Sequence, residues 1–202
     1  MATAITADQV KQLRDKTGAG MMECKAALTE ANGSMDEAVT LLRKRGLAQA
    51  AKRAGRPTAQ GVIGSYIHMA GRIGVLLEVN CESDFVARTD DFQNLVKEIG
   101  MHIAAADPKW VRREEVPAEA IEKERAICRA QMESTGKPAN VIDKIIEGKL
   151  GSFYSQFVLL DQPSIRDGGL TIGQLVAAAS AKTGENIQVS RFARFRVGET
   201  QE

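Results

Sequence analysis

The stretch Asn80-Cys81-Glu82-Ser83-Asp84-Phe85-Val86-Ala87-Arg88 decides how the chain is read. It follows the most strand-like run of the sequence, Ile73 to Asn80, and precedes a strongly periodic helix that begins near Asp90. A strand that stops, turns and hands over to a helix places its turn residues at the rim of a domain, where Asp84 and Phe85 can meet another molecule. Upstream, Gly61 to Met69 and Ile73 to Asn80 are β-prone runs separated by Ala70-Gly71-Arg72, which predicts a hairpin with a three-residue loop. Val75, Leu77 and Val79 alternate with Leu76, Glu78 and Asn80, giving one apolar face and one mixed face. Downstream, Thr89 is an N-cap for a helix in which Phe92, Leu95, Val96, Ile99 and Ile103 recur at helical spacing until Asp107-Pro108. That helix is expected to cover the sheet. Asn186 to Val197 reads as a closing strand, with Ile187, Val189, Phe195 and Val197 as its apolar residues.

Ahead of the hairpin the pattern is helical. Thr6 with Gln9 has the form of a capping box, and Val10 and Leu13 fit a helix over Ala7 to Lys16 that stops at Gly18. A second helix begins near Met21, carries Ala27, Leu28 and Ala31 inward and ends at Asn32-Gly33, where glycine takes the left-handed conformation. Ser34 with Glu37 opens a third, whose Ala38, Val39, Leu41 and Leu42 face inward until Gly46. Each is too short to be stable alone, so the three-helix (UBA-like) module holds together by packing its apolar faces. Leu47 to Ala54 is alanine-rich, basic and helical, and Gly55-Arg56-Pro57-Thr58 breaks the periodicity. The expected organisation is a helical module over residues 1–54, a linker over 55–60 and an α+β core over 61–202. In that core Pro117 starts a charged helix running to Gly136, Pro138 to about Phe157 carries Val141, Ile142, Ile145, Ile146 and Leu150 as a stripe, and Thr171 caps a helix over Ile172 to Lys182. The fold class is α+β: the helical module, then a short antiparallel three-stranded sheet covered by helices.

The chain has 202 residues, enough to bury a sizeable core, and a net charge of +1, which argues against a global grip on nucleic acid. Charge is uneven, since no acid occurs between Glu37 and Glu78 while Arg43, Lys44, Arg45, Lys52, Arg53, Arg56 and Arg72 do. With 3 cysteines and 2 histidines, and no C-x-x-C pair, neither a disulfide framework nor a zinc site is written here. Cys24, Cys81 and Cys128 read as small buried hydrophobes. No start signal or long apolar run is visible, so a soluble cytoplasmic protein without metal or cofactor is expected. No nucleophile-and-base set can be assembled, which argues against an enzyme. Thr17-Gly18-Ala19-Gly20 lacks the Gly-Lys-Ser/Thr ending of a phosphate loop, and Gly71-Arg72-Ile73-Gly74 lies between strands, unlike the loop of KH domains. Read alone, Phe85 is a core aromatic and Asp84 a turn residue. Met21 and Met22 point about 100° apart on a helix, so one of them is expected at the surface.

The run Val10-Lys11-x-Leu13-Arg14-x-x-Thr17-Gly18-Ala19-Gly20-Met21-Met22-x-Cys24-Lys25-x-Ala27-Leu28, with Glu78-Val79-Asn80-Cys81-x-Ser83-Asp84-Phe85-Val86 downstream, closely resembles the translation elongation factor Ts family. Gly136-Lys137-Pro138, Gly173-Gln174-Leu175 and Arg191-Phe192 extend the resemblance over nearly the whole chain. The resemblance implies a nucleotide-exchange factor for the GTPase elongation factor Tu. It implies that Arg14, Met21, Met22 and Lys25 contact the GTPase's nucleotide domain. It also implies that Asp84 and Phe85, with Ser83 and Val86 completing the motif, intrude near that partner's magnesium site. Two departures matter: the family motif often has Thr in place of Ser83, and long members carry two strand-and-helix subdomains where this chain carries one. A homodimer binding two molecules of elongation factor Tu is therefore expected, with His68 a possible partner contact from the dimer-mate's side. Competing readings are a nucleic-acid module built on the basic stretch from Arg43 to Arg72, and an adaptor for ubiquitin-like proteins using the three-helix module.

Overall fold

A computed structural model describes residues 5–133 and 138–199. It is an α+β fold: helices α1 (Ala7–Thr17), α2 (Met21–Glu30) and α3 (Met35–Arg53) precede strands β1 (Gln60–His68) and β2 (Ile73–Cys81). These are followed by α4 (Asp84–Ala87), α5 (Asp90–Ala106), α6 (Ala118–Glu133), α7 (Ala139–Phe157), α8 (Ile172–Thr183) and β3 (Gln188–Arg196). The strands form one antiparallel sheet in the order β1-β2-β3. Among the described residues no helix is long and apolar enough to cross a membrane.

The chain divides into two compact units. The first comprises the chain up to Val62 with Val79–Leu95 and Gln174–Gln188. Its helical part starts as the sequence predicts: the Thr6 hydroxyl accepts from the Gln9 N–H, the Gln9 side chain returns the bond to the Thr6 N–H at 3.0 Å, and Gly18 closes α1 at φ 70°. Val10, Leu13, Cys24, Ala27, Leu28, Ala38 and Leu42 form its core. One expectation fails here, because α3 does not stop at Gly46 but runs on to Arg53. Glycine costs a helix interior only about 1 kcal/mol, and its bareness is used: a Cβ at Gly46 would sit 3.2 Å from the Ala181 Cβ of α8. The turn expected between the Ile73–Asn80 strand and the helix from Asp90 is itself partly helical, since Asp84–Ala87 coil into a single helical turn.

The second unit comprises Ile63–Glu78, Val96–Gly173 and the chain from Val189 on. Gly64 and Gly100 let α5 approach the hairpin closely; a Cβ at Gly64 would lie 2.3 Å from Val96 Cγ1 and one at Gly100 3.2 Å from Tyr66 Cβ. The hairpin loop holds four residues, not three, because Met69, Ala70 and Gly71 all adopt positive φ and delay re-pairing until Ile73. Opposite α5, the outer side of the hairpin exposes Ile63, Ile67 and Leu76, and Gly74 faces Ile67 across the strands. Helices α6 and α7 form an antiparallel pair closed by Cys128, Ile146 and Leu150, with Arg125 and Glu147 3.1 Å apart. The end of the α6 region expected at Gly136 lies outside the described residues. His102 of α5 is fully buried, its Nε2 2.8 Å from Gln162 Oε1.

Candidate functional site

The motif residues 83–86 are built on a base that leaves its tip in water. Cys81 ends β2, and Ser83, at φ −126° and ψ 156°, is the N-cap of α4; its hydroxyl accepts from the Val86 N–H at 3.4 Å. Below the turn, the Glu185 carboxylate accepts from the Glu82 N–H at 3.1 Å, the Ser83 N–H at 3.0 Å and the Ser83 hydroxyl. On the far side, Thr89 Oγ1 donates to the Val86 carbonyl at 2.8 Å and Gln93 Nε2 to the Ala87 carbonyl at 2.7 Å. Ala87 is buried and Val86 half-buried, so the helical turn rests on its second half.

The outward residues are Asp84 and Phe85. Phe85 is 79 % exposed, against the core position that its residue type suggests when read alone. Asp84 is paired with Arg88 one turn on, at 2.8 Å. Such an exposed pair contributes about 0–1 kcal/mol, which leaves the carboxylate free to exchange partners at small cost. An aromatic ring left in water forgoes about 1.5–3 kcal/mol of burial. The turn thus offers an unburied ring and an acid side by side on a fixed base.

The helical module carries the other candidates. Met21 and Met22 are both exposed, at 47 % and 74 %, where the spacing predicts only one at the surface. The reason is that the buried stripe of α2, Cys24, Ala27 and Leu28, begins only after the two methionines. Met22, Lys25, Ala26, Thr29 and Glu30 line a shallow depression along the outer face of α2. Arg14 is exposed on α1. Arg14, Met21, Met22, Lys25, Ser83, Asp84, Phe85 and Val86 all fall within the first unit; His68 falls in the second. There His68 is exposed at the end of β1, stacked on Tyr66 with ring centroids 5.8 Å apart and its Nδ1 3.1 Å from the Tyr66 hydroxyl.

Parts of the basic stretch are engaged within the chain. Arg45 pairs with Glu30, Arg53 donates to the Ser180 carbonyl at 3.2 Å, and Arg56 meets Glu82 at 3.4 Å. Cys24, Cys81 and Cys128 are buried free thiols. Desolvation pushes each thiol up, and at Cys81 the Glu185 charge adds to the shift. No group of acids, histidines or cysteines among the described residues could hold a metal ion. Sequence reasoning missed Glu185 and Asn186, because nothing local marks residues that act a hundred positions away.

A family model described as Elongation factor TS matches residues 1–199. An elongation factor Ts from Fervidobacterium nodosum is 60 % identical over 195 residues, covering 96 % of this chain and 99 % of that protein. One from Solibacter usitatus is 58 % identical over 197 residues, covering 98 % and 93 %. One from Koribacter versatilis is 58 % identical over 198 residues, covering 98 % and 90 %.

Proposed function

Because the chain belongs to the elongation factor Ts family, we propose that it binds the GDP form of elongation factor Tu and speeds GDP release by disturbing that partner's magnesium and phosphate site. GTP then rebinds and translation elongation continues, in the cytoplasm. The observation that carries this reading is the exposure of Phe85 at the tip of a turn whose base is hydrogen-bonded on both sides. No catalytic residue is needed. A protein that binds nucleotide-free elongation factor Tu more tightly than the GDP-bound form must weaken GDP binding by the same factor. Burying one phenyl ring only where the partner's site has opened is worth about 1.5–3 kcal/mol, a roughly 10- to 100-fold shift. Once the cation's ligands are displaced, the diphosphate charge is poorly compensated and GDP leaves.

Arg14, Met21, Met22 and Lys25 hold the partner's nucleotide domain, and their exposure on α1 and α2 supports that role. Flexible methionines suit a surface that must accept a changing partner. The chain works as a homodimer that binds two molecules of elongation factor Tu, with residues 61–202 as the dimerisation core. The unpaired outer side of the hairpin, bearing Ile63, Ile67 and Leu76, supports a second copy as its cover, since sheets pack face to face through such side chains. His68 reaches the partner from the dimer-mate's side.

The test is release of fluorescent GDP from elongation factor Tu, with the wild-type chain and with Phe85→Ala. Acceleration that the variant loses by about tenfold or more supports the ring's role. No acceleration by the wild type refutes the exchange reading, and equal acceleration by both refutes the part given to Phe85.

A further inference from the structure

A four-residue helix cannot order itself, because nucleation costs more than one turn of hydrogen bonds returns. Something else must fix where Phe85 points. The turn's first two residues are held by one distant side chain: Glu185 takes the N–H groups of Glu82 and Ser83 and the Ser83 hydroxyl on a single carboxylate. Glu185 is itself anchored. Its N–H donates to Thr183 Oγ1 at 3.4 Å, its carbonyl accepts from the Ser180 hydroxyl, and Gly184 before it closes α8 at φ 79°.

The next residue reaches the other way. Asn186 is 4 % exposed, and its amide donates to the carbonyls of Ala54 at 3.2 Å and Arg56 at 2.8 Å, where the chain leaves α3. The Asn186 N–H donates to Glu82 Oε1 at 2.6 Å, and the same Glu82 oxygen meets Arg56 at 3.4 Å. Two consecutive residues therefore tie the base of the Phe85 turn to the exit of the last helix of the module that carries Met21 and Met22.

We propose that Glu185 is the positioning residue for Phe85, and that Asn186 extends the same clamp to the exit of α3. The proposal rests on the reading that Phe85 disturbs the partner's nucleotide site. A turn left free would be ordered only on meeting the partner, and that ordering cost would be subtracted from the binding contrast that drives release. The clamp meets this cost during folding. Glu185 touches no partner in this role; it acts through the backbone of Glu82 and Ser83.

The experiment uses the full chain carrying Glu185→Gln, which keeps the side chain's size but leaves one acceptor oxygen for three donors. Amide hydrogen exchange is read first. The N–H groups of Glu82 and Ser83 exchange roughly tenfold faster or more in the variant, the loss expected for bonds to a charged acceptor, while those of Val75 and Val96 are unchanged. If the amides of Val75 and Val96 accelerate as much, Glu185 is a general fold stabiliser and the proposal is overturned. GDP release from elongation factor Tu is then measured in a cycle of wild type, Glu185→Gln, Phe85→Ala and the double variant. Glu185→Gln slows the maximal release rate by roughly tenfold, and Phe85→Ala adds little in its background. A wild-type rate for Glu185→Gln, with Phe85→Ala still defective, overturns the positioning role and leaves the role of Phe85 standing. A full Phe85→Ala penalty in both backgrounds likewise overturns it. Equal rates for wild type and Phe85→Ala remove the underlying reading and the proposal with it. If Glu185→Gln fails to fold, Glu185→Asp keeps the charge but shortens its reach to the three donors and gives a smaller slowing in the same direction; a wild-type rate there overturns the clamp.

Discussion

Acid should weaken the fold through His102, in the second unit. Gln162 sets the protonation pattern: its amide nitrogen donates to the Gln156 carbonyl at 2.7 Å and the Ala106 carbonyl at 3.4 Å, so Oε1 is left to accept. The hydrogen-bond network therefore assigns the proton of neutral His102 to Nε2, and Nδ1 is a buried nitrogen without a hydrogen-bond partner among the described residues. Protonating Nδ1 puts a charge and a second N–H where nothing accepts it. Burial consequently lowers the His102 pKa below the usual 6.5, although the Gln162 bond and Glu98 one turn earlier pull the other way. Arg166, 3.6 Å from Glu98, offsets part of that pull. Below about pH 6.5 the unfolded chain takes up a proton that the folded chain refuses, so stability falls with pH until the lowered folded pKa is reached. The slope is at most about 1.4 kcal/mol per pH unit, a ceiling of about 2 kcal/mol between pH 6.5 and 5. Above about pH 6.5 the contribution is constant. Urea unfolding of wild type and His102→Gln over that range isolates the effect, since the variant keeps a donor for Gln162 and loses the titration. The wild type should lose stability faster than the variant as pH falls. Parallel pH profiles, or an imidazole proton resonance that titrates at or above about pH 6.5 in the folded chain, would refute the reasoning.

Gly64→Ala forces a methyl into the contact between the hairpin and α5. It should cost about 1–3 kcal/mol, lowering Tm by roughly 2–4 °C per kcal/mol; an unchanged melting curve would refute the close approach. Met22→Ala should leave stability within about 0.5 kcal/mol, since the side chain is exposed. The same change should weaken binding to elongation factor Tu by about 1 kcal/mol or more in calorimetry, and an unaltered affinity would remove Met22 from the contact. Light scattering should give the mass of two chains for the wild type and of one for Ile67→Lys; a wild-type monomer across micromolar concentrations counts against the dimer.

Elements whose signals are local were legible in the sequence. The capping residues Thr6 and Ser34, the stop at Gly18, the left-handed Gly33, and the alternation of Val75, Leu77 and Val79 are each decided within a few residues. What escaped was decided by tertiary neighbours. The passage of α3 through Gly46 depends on how near α8 comes, and the exposure of both methionines depends on how little of α2 the module covers. The site was legible as a motif and not as a mechanism. Residue type puts Phe85 in the core, and only the base beneath it shows why it stands out. Glu185 carries no signal of its own because its acceptors serve donors 102 and 103 residues away.

The burial of all three cysteines has a practical side. A thiol reacts as its thiolate and only where reagent can reach it, and Cys24, Cys81 and Cys128 are enclosed with their ionisation pushed up. A cysteine introduced on the surface would be the fast-reacting thiol of the folded chain. Dyes or spin labels placed on α2 or beside Phe85 could then report on the partner in real time, with the native cysteines left in place.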